Sequence, residues 1–193
     1  MFTDWYMLLG IISGLVFAGG NIPYILEIRK GTIRPNLASW IGWFFLLVIG
    51  STAQIAEGAS WSVLLPIGGA IGDGITTYFV FKYGYTRFSL LDKACLFLGA
   101  LGIFLWLITS EPLIALVLAI LADFMVATPT IVKTFKDPSS EPILGWLLFA
   151  LGSLIAIGAT GQVNFNNLAY PIALTILNSG ILLLALRGKM KKV

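Results

Sequence analysis

The 193-residue chain has no histidine, one cysteine and few charges, with 12 Lys and Arg and 9 Asp and Glu making up 11% of its residues. Each scarcity excludes something. Without histidine and with Cys95 alone, there is no Cys/His set at metal-ligand spacing and no Ser-His-Asp or Cys-His arrangement for nucleophilic chemistry. No glycine-rich loop runs into Lys followed by Ser or Thr, as phosphate binding would need. The chain is therefore read as a non-enzyme that needs no metal or cofactor. A lone cysteine closes no internal disulfide, and in its apolar run Cys95 reads as a small buried hydrophobe. The paucity of charge excludes a soluble domain, where about a quarter of residues are charged.

What the chain does have is apolar sequence: 58% of its residues are hydrophobic and its mean hydropathy is +0.94. A helix crossing the hydrocarbon core needs about 20 mostly apolar residues. Punctuation by charge, Gly, Pro and Asn divides the chain into spans near 5–28, 37–57, 61–83, 91–109, 112–134, 143–162 and 166–187. The expected fold is an all-α integral membrane protein of seven helices, with links too short for independent structure. The first apolar stretch lacks a basic leader and a small-residue cleavage site, so it is expected to be a retained helix.

Placing the N-terminus outside puts Arg29, Lys30, Arg34, Lys82, Arg87, Lys93, Lys133, Lys136, Arg187, Lys189, Lys191 and Lys192 on the cytoplasmic side. Those are all 12 basic residues. The opposite links carry Glu57, Glu111 and the amide-rich stretch 162–167, so the positive-inside rule is obeyed throughout. The expected location is the plasma (inner) membrane, with the C-terminus cytoplasmic. Membrane topology accounts for the net charge of +3, so no nucleic-acid partner is expected. The expected partners are the lipid bilayer and a small-molecule substrate, with self-association into a homo-oligomer left open.

Sliding the chain along itself by 106 positions aligns Pro23 with Pro129, Lys30 with Lys136 and Trp40 with Trp146. At 105 positions Pro66 meets Pro171, Ile71 meets Ile176 and Asp73 meets Asn178. Both units begin outside and hold three spans, so they are parallel repeats, and a further span must return the chain between them. The division is 1–90, first three-helix repeat; 91–110, linker helix; and 111–193, second three-helix repeat. In transporters built this way the substrate site lies near mid-membrane between the repeats.

Asp73, within Gly68-Gly-Ala-Ile-Gly-Asp-Gly-Ile-Thr-Thr, lies near the centre of its span, where a carboxyl group is costly unless paired, protonated or facing a polar cavity. Asp73 and its repeat partner Asn178 are the substrate-binding candidates. Asp123 is also near mid-membrane, but its repeat position is Phe17, an asymmetry that points to coupling; Asp73 and Asp123 are the proton-coupling candidates. Pro23 and Pro129 each remove a helical hydrogen bond near the basic end and are candidate hinges of a gate. Trp40, Trp43 and Trp146 are expected in an interfacial aromatic belt, with Asn21, Gln54, Trp40 and Trp146 as further candidates for lining the pocket. The Gly10/Gly14 and Gly68/Gly72 pairs are expected to allow close helix approach. A retinal protein is excluded by the absence of lysine from 166–186.

The stretches Asn21-Ile-Pro-Tyr-Ile-Leu-Glu-Ile-Arg-Lys-Gly and Ala127-Thr-Pro-Thr-Ile-Val-Lys-Thr-Phe-Lys-Asp each place a proline about one turn inside the basic end of a repeat's first helix. In this and in its repeat plan the chain resembles the PQ-loop superfamily, and within it the SWEET transporters. The Pro-Gln dipeptide itself reads Pro23-Tyr24 and Pro129-Thr130, and the second and sixth spans hold no proline beyond their first residues. The resemblance implies a 3+1+3 fold, alternating access between two triple-helix bundles, and a sugar-like solute bound by paired asparagines, here Asp73 and Asn178. Two alternatives stay open: a proton-coupled carrier of amino acids or cationic solutes, and a receptor on the same fold that transports nothing.

Overall fold

The protein, seen in a computed structural model, is described over residues 2–56, 61–83, 88–108, 112–161, 163 and 165–190. Glu57, Arg87, Glu111, Gln162, Asn164, Lys191 and Lys192 lie outside the described residues. Among the described residues the elements are helical: α1 (Phe2–Gly19), α2 (Asn21–Lys30), α3 (Leu37–Ala56), α4 (Leu64–Tyr83), α5 (Leu90–Ile108), α6 (Pro112–Lys136), α7 (Ile143–Ala159) and α8 (Phe165–Met190). Short 3-10 turns occupy Trp61–Val63 and Pro138–Ser140. Four helical stretches, Trp5–Lys30, Trp61–Tyr83, Leu116–Lys136 and Asn167–Gly188, are long and apolar enough to cross a membrane; Leu37–Thr52 and Ile143–Ala159 are shorter and also apolar.

The first expected span is divided at Gly20, for a reason written in the sequence. Pro23 has no N–H to offer the carbonyl four residues back, on Gly19. The ladder tightens there, with the Gly20 N–H shared between the carbonyls of Phe17 (3.0 Å) and Val16 (3.3 Å), and α2 starts afresh. At its far end α2 closes on Gly31, in the left-handed region at φ 71°. The Gly31 N–H reaches the Ile28 carbonyl and the Thr32 N–H the Glu27 carbonyl, the double closure of a Schellman motif.

Two further caps tie the basic loops together. Asn36 accepts from the Ser39 N–H (3.1 Å) to start α3, and its own amide donates to Asp92 (2.7 Å). Ser89 and Asp92 form a reciprocal capping box at the start of α5, with the Ser89 N–H on the Asp92 carboxyl (2.6 Å) and the Asp92 N–H on the Ser89 hydroxyl (3.2 Å). Across the same end Lys133 donates to the Arg34 carbonyl (3.2 Å) and Arg187 to the Phe135 carbonyl (3.1 Å).

Packing follows one scheme twice. In the first half α4 lies between α1 and α3, and in the second α8 lies between α6 and α7. Across the halves α1 packs on α7, and α3 on α6. Among the described residues α5 rests on α6 and more lightly on α3. The outer surface is apolar: Leu15, Phe81 and Phe97 are each more than two-thirds exposed. A soluble monomer rarely presents so much contiguous apolar surface.

The expected glycine contacts are present. A methyl group on Gly68 would stand 2.6 Å from the Gly14 carbonyl oxygen, and one on Gly14 would stand 2.5 Å from that of Leu64, so α1 and α4 cross backbone to backbone. Gly68→Ala is expected to destabilise by about 1–3 kcal/mol through overpacking. Gly180, with nothing within 4 Å, should accept alanine without loss. Thermal unfolding of the two purified variants checks the contrast, and equal melting temperatures would contradict the close crossing.

Candidate functional site

A cavity opens between α1, α3 and α4 on one side and α6, α7 and α8 on the other. Its wall comes from both: Phe17 of α1, Trp40, Trp43, Leu46 and Leu47 of α3, and Asp73 of α4 face Asp123 of α6, Trp146 and Phe149 of α7, and Tyr170, Leu174, Leu177 and Asn178 of α8. The α3 residues recur every three or four positions, which is why one helical face supplies four of them. Asp73 is the tenth residue of a 20-residue helix, so its carboxyl group sits at mid-helix.

The polar side chains are buried and differ in what satisfies them. Asp123, 4% exposed, accepts the Trp43 indole N–H at 3.0 Å, a bond between α6 and α3 that crosses the halves. The Tyr170 hydroxyl lies against the same carboxyl group. Asn178 reaches the Phe149 carbonyl at 3.5 Å, a long hydrogen bond. Asp73 is also 4% exposed, yet its Oδ1 has no hydrogen-bond partner among the described residues. Beside it, Asn21 accepts from the Thr76 hydroxyl at 2.6 Å while its Nδ2 stays unpartnered among the described residues. Buried polar atoms are rarely left so, and an orphan at a cavity wall is where a ligand or water bonds.

The basic end of the cavity is closed. The Tyr24 ring meets Trp40 edge to face at 4.8 Å between centroids, and Trp40, Trp43, Trp146 and Phe149 continue the stack at 5.5–5.8 Å between successive centroids from Trp40 to Trp43, Trp43 to Trp146 and Trp146 to Phe149. Behind the rings, the Glu141 carboxylate accepts the Tyr24 hydroxyl and the Trp146 indole N–H and pairs with the Lys133 ammonium. Lys133 also donates to the Ser140 carbonyl at 3.4 Å. Tyr24 comes from the first half and the other three from the second, so the cluster bolts the halves together.

Comparison with family models, curated proteins and solved structures returns no match.

The sequence-derived candidates sort clearly. Asp73, Asn178, Asp123, Trp40 and Trp146 line one cavity. Asn21 sits beside Asp73, outside the lining. Gln54 is half-buried and about two turns beyond Leu47, past the cavity wall. Pro129 lies inside α6, and Pro23 breaks the α1/α2 rod, both one or more turns toward the basic end from the cavity. The aromatic-belt expectation for Trp40, Trp43 and Trp146 is overturned, since they are only 1%, 9% and 2% exposed. Two of them can be buried because Asp123 and Glu141 take their indole N–H groups. Sequence reasoning missed Glu141, Tyr24, Lys133 and Tyr170. The available signal was an acid, Glu141, directly after the Pro138–Ser140 turn in a link that follows Lys133 and Lys136 of α6.

Proposed function

We propose that this chain is a membrane transporter that moves a small polar solute by alternating access through the cavity between its halves. The observation that carries the reading is a largely apolar cavity holding Asp73, Asp123 and Asn178, walled by both halves and shut at the basic end by contacts that also join them. A site with one end closed by separable contacts is what alternating access requires, and an apolar wall with a few convergent polar groups is the usual make-up of a small-ligand pocket. The twofold neighbour scheme, with α4 and α8 each between two partners and α5 to one side, supports two triple-helix bundles joined by a linker helix. The apolar outer surface supports seven helices in lipid, and the clustered Lys and Arg support a cytoplasmic basic end. The SWEET-like resemblance belongs to the same proposal and would make the solute sugar-like. Asp73 and Asp123, in a wall free of Lys and Arg, favour the second reading, a proton-coupled carrier of a charged solute.

The functional test is a thermal-shift screen of purified protein against sugars, polyols, amino acids and amines at two pH values, followed by counterflow in proteoliposomes for each hit. A ligand that binds the folded state raises its melting temperature. A protein that binds and exchanges none of them is not a transporter of small polar solutes. The orientation has its own test: in a Cys95→Ala background, Asn164→Cys should react with an impermeant maleimide from outside. Lys189→Cys should react only after permeabilisation, and the reverse pattern would invert the topology.

A further inference from the structure

The wall of the cavity is unbalanced in charge and built of rings. Two carboxyl groups face it, and no Lys or Arg is among its lining residues. The nearest ammonium that the structure pairs, Lys133, is spent on Glu141 behind the Tyr24 and Trp146 rings. Asp123 is already engaged by Trp43 and Tyr170. Asp73 has Asn21 beside it, and its Oδ1 makes no hydrogen bond among the described residues. The indoles of Trp40, Trp43 and Trp146 line the same cavity, with Trp40 and Trp146 inclined at 87° and 70° to Trp43.

We infer that the cavity takes a small organic monocation with an alkylated ammonium head and no carboxylate, seated between the Asp73 carboxylate and the Trp40, Trp43 and Trp146 rings. This rests on the transport reading and names its solute class. The charge follows from one carboxyl group without a bonded partner at Oδ1, which on losing its proton matches one positive charge. The alkylated head follows from the rings, because an indole face attracts a cation through its quadrupole and buries its methyl groups at the same time. A hydrated inorganic ion would leave the rings unused. The missing carboxylate follows from the wall, which offers no cationic side chain to meet one and two acids to repel it. A neutral polyol would use neither the negative charge that Asp73 can carry nor the faces of the rings. Trp43 is held in place by its bond to Asp123, so Asp123 is a positioning residue for the cage.

Choline, its neutral carbon isostere 3,3-dimethylbutan-1-ol and the carboxylate-bearing glycine betaine are the probes. They are titrated into the full-length wild-type protein in detergent by calorimetry and thermal shift, and choline counterflow is measured in proteoliposomes. The expected result is choline binding with exchange, and affinity at least about thirtyfold weaker for the isostere and for betaine, as for loss of one partner of a buried charge pair. Asp73→Asn should weaken choline by a similar factor without lowering the melting temperature of the free protein. If Asp73→Asn does not fold, the comparison of choline with its isostere on wild type decides alone. Equal affinity for choline and its isostere overturns the cation assignment. So does stabilisation by sugars or polyols but not by choline, while leaving the transporter reading standing. If no solute of any class binds or exchanges, the transporter reading fails and the inference falls with it.

Discussion

Replacing Asp73 by leucine should abolish solute binding and transport while leaving the free protein at least as stable as wild type. The two halves of that expectation come from one observation. Asp73 is 4% exposed with an unbonded carboxylate oxygen, and such a group costs folding free energy that a leucine would not. Its loss removes the free polar contact of the cavity and leaves Asn21 and Asn178 with an apolar neighbour. A buried group left unpaired costs about 1–3 kcal/mol, and loss of a buried charge partner more, so binding should fall by about a hundredfold or beyond. A residue that merely packed the helices would show the opposite pattern, with melting and activity falling together.

Asp73→Asn divides the possibilities further. The amide donates and accepts at any pH, whereas the carboxyl group donates only when protonated. The groups that face Asp73 from neighbouring helices are Asp123 of α6, Tyr170 of α8 and Tyr24 of α2. With Asp73 removed from this set, the pH profile of transport should flatten, and any dependence that survives belongs to Asp123. A neutral solute should still bind the restored amide pair, and a cation should not. Uptake in proteoliposomes across a pH series measures both, and an unaltered profile with unaltered uptake in the asparagine and leucine variants would remove Asp73 from the site.

Much of this arrangement is legible in the sequence. Apolar runs and their punctuation place the helices within a few residues, because the hydrocarbon core fixes span length. The repeat put Asp73 and Asn178 at equivalent positions, and both line the cavity. The tryptophans were misjudged for a physical reason: a Trp near a helix end suits an interface equally well, and only the tertiary partner of its N–H decides. For Trp146 that partner is Glu141, five residues earlier in a link that reads as solvent-exposed loop. Glu141 is 4% exposed because Lys133 pairs with it from the preceding helix, eight positions back across the turn at Pro138–Ser140. No hydropathy window or repeat offset encodes that meeting. The break at Gly20 was legible in principle, since Pro23 dictates it.

Glu141→Ala should open the basic end. In the closed arrangement its carboxylate satisfies the Tyr24 hydroxyl and the Trp146 indole and neutralises Lys133. Removing one member of a fully buried ion pair costs about 3–5 kcal/mol, because the other charge is left uncompensated, and the partial exposure of Lys133 puts this pair at or below the lower end. Lys133 keeps only the Arg34 and Ser140 carbonyls, and Tyr24 and Trp146 lose their acceptor. If the opened state hydrates these groups, the cost falls on the closed state alone. A difference of about 3 kcal/mol then shifts the closed-to-open ratio by about a hundredfold, enough to exchange major and minor states that lie a few kcal/mol apart. A reporter at Ser39, fully buried near the start of α3, reads the change. In a Cys95→Ala background, S39C should label slowly with an impermeant maleimide in inside-out vesicles. Adding Glu141→Ala should raise that rate by about a hundredfold, and Lys133→Met with Glu141→Leu, which removes both charges, should return most of it. Melting curves separate the structural alternative. A variant that melts far lower yet labels no faster would show that the cluster holds the fold and does not gate it, and a variant that changes in neither respect would show that the ion pair contributes to neither.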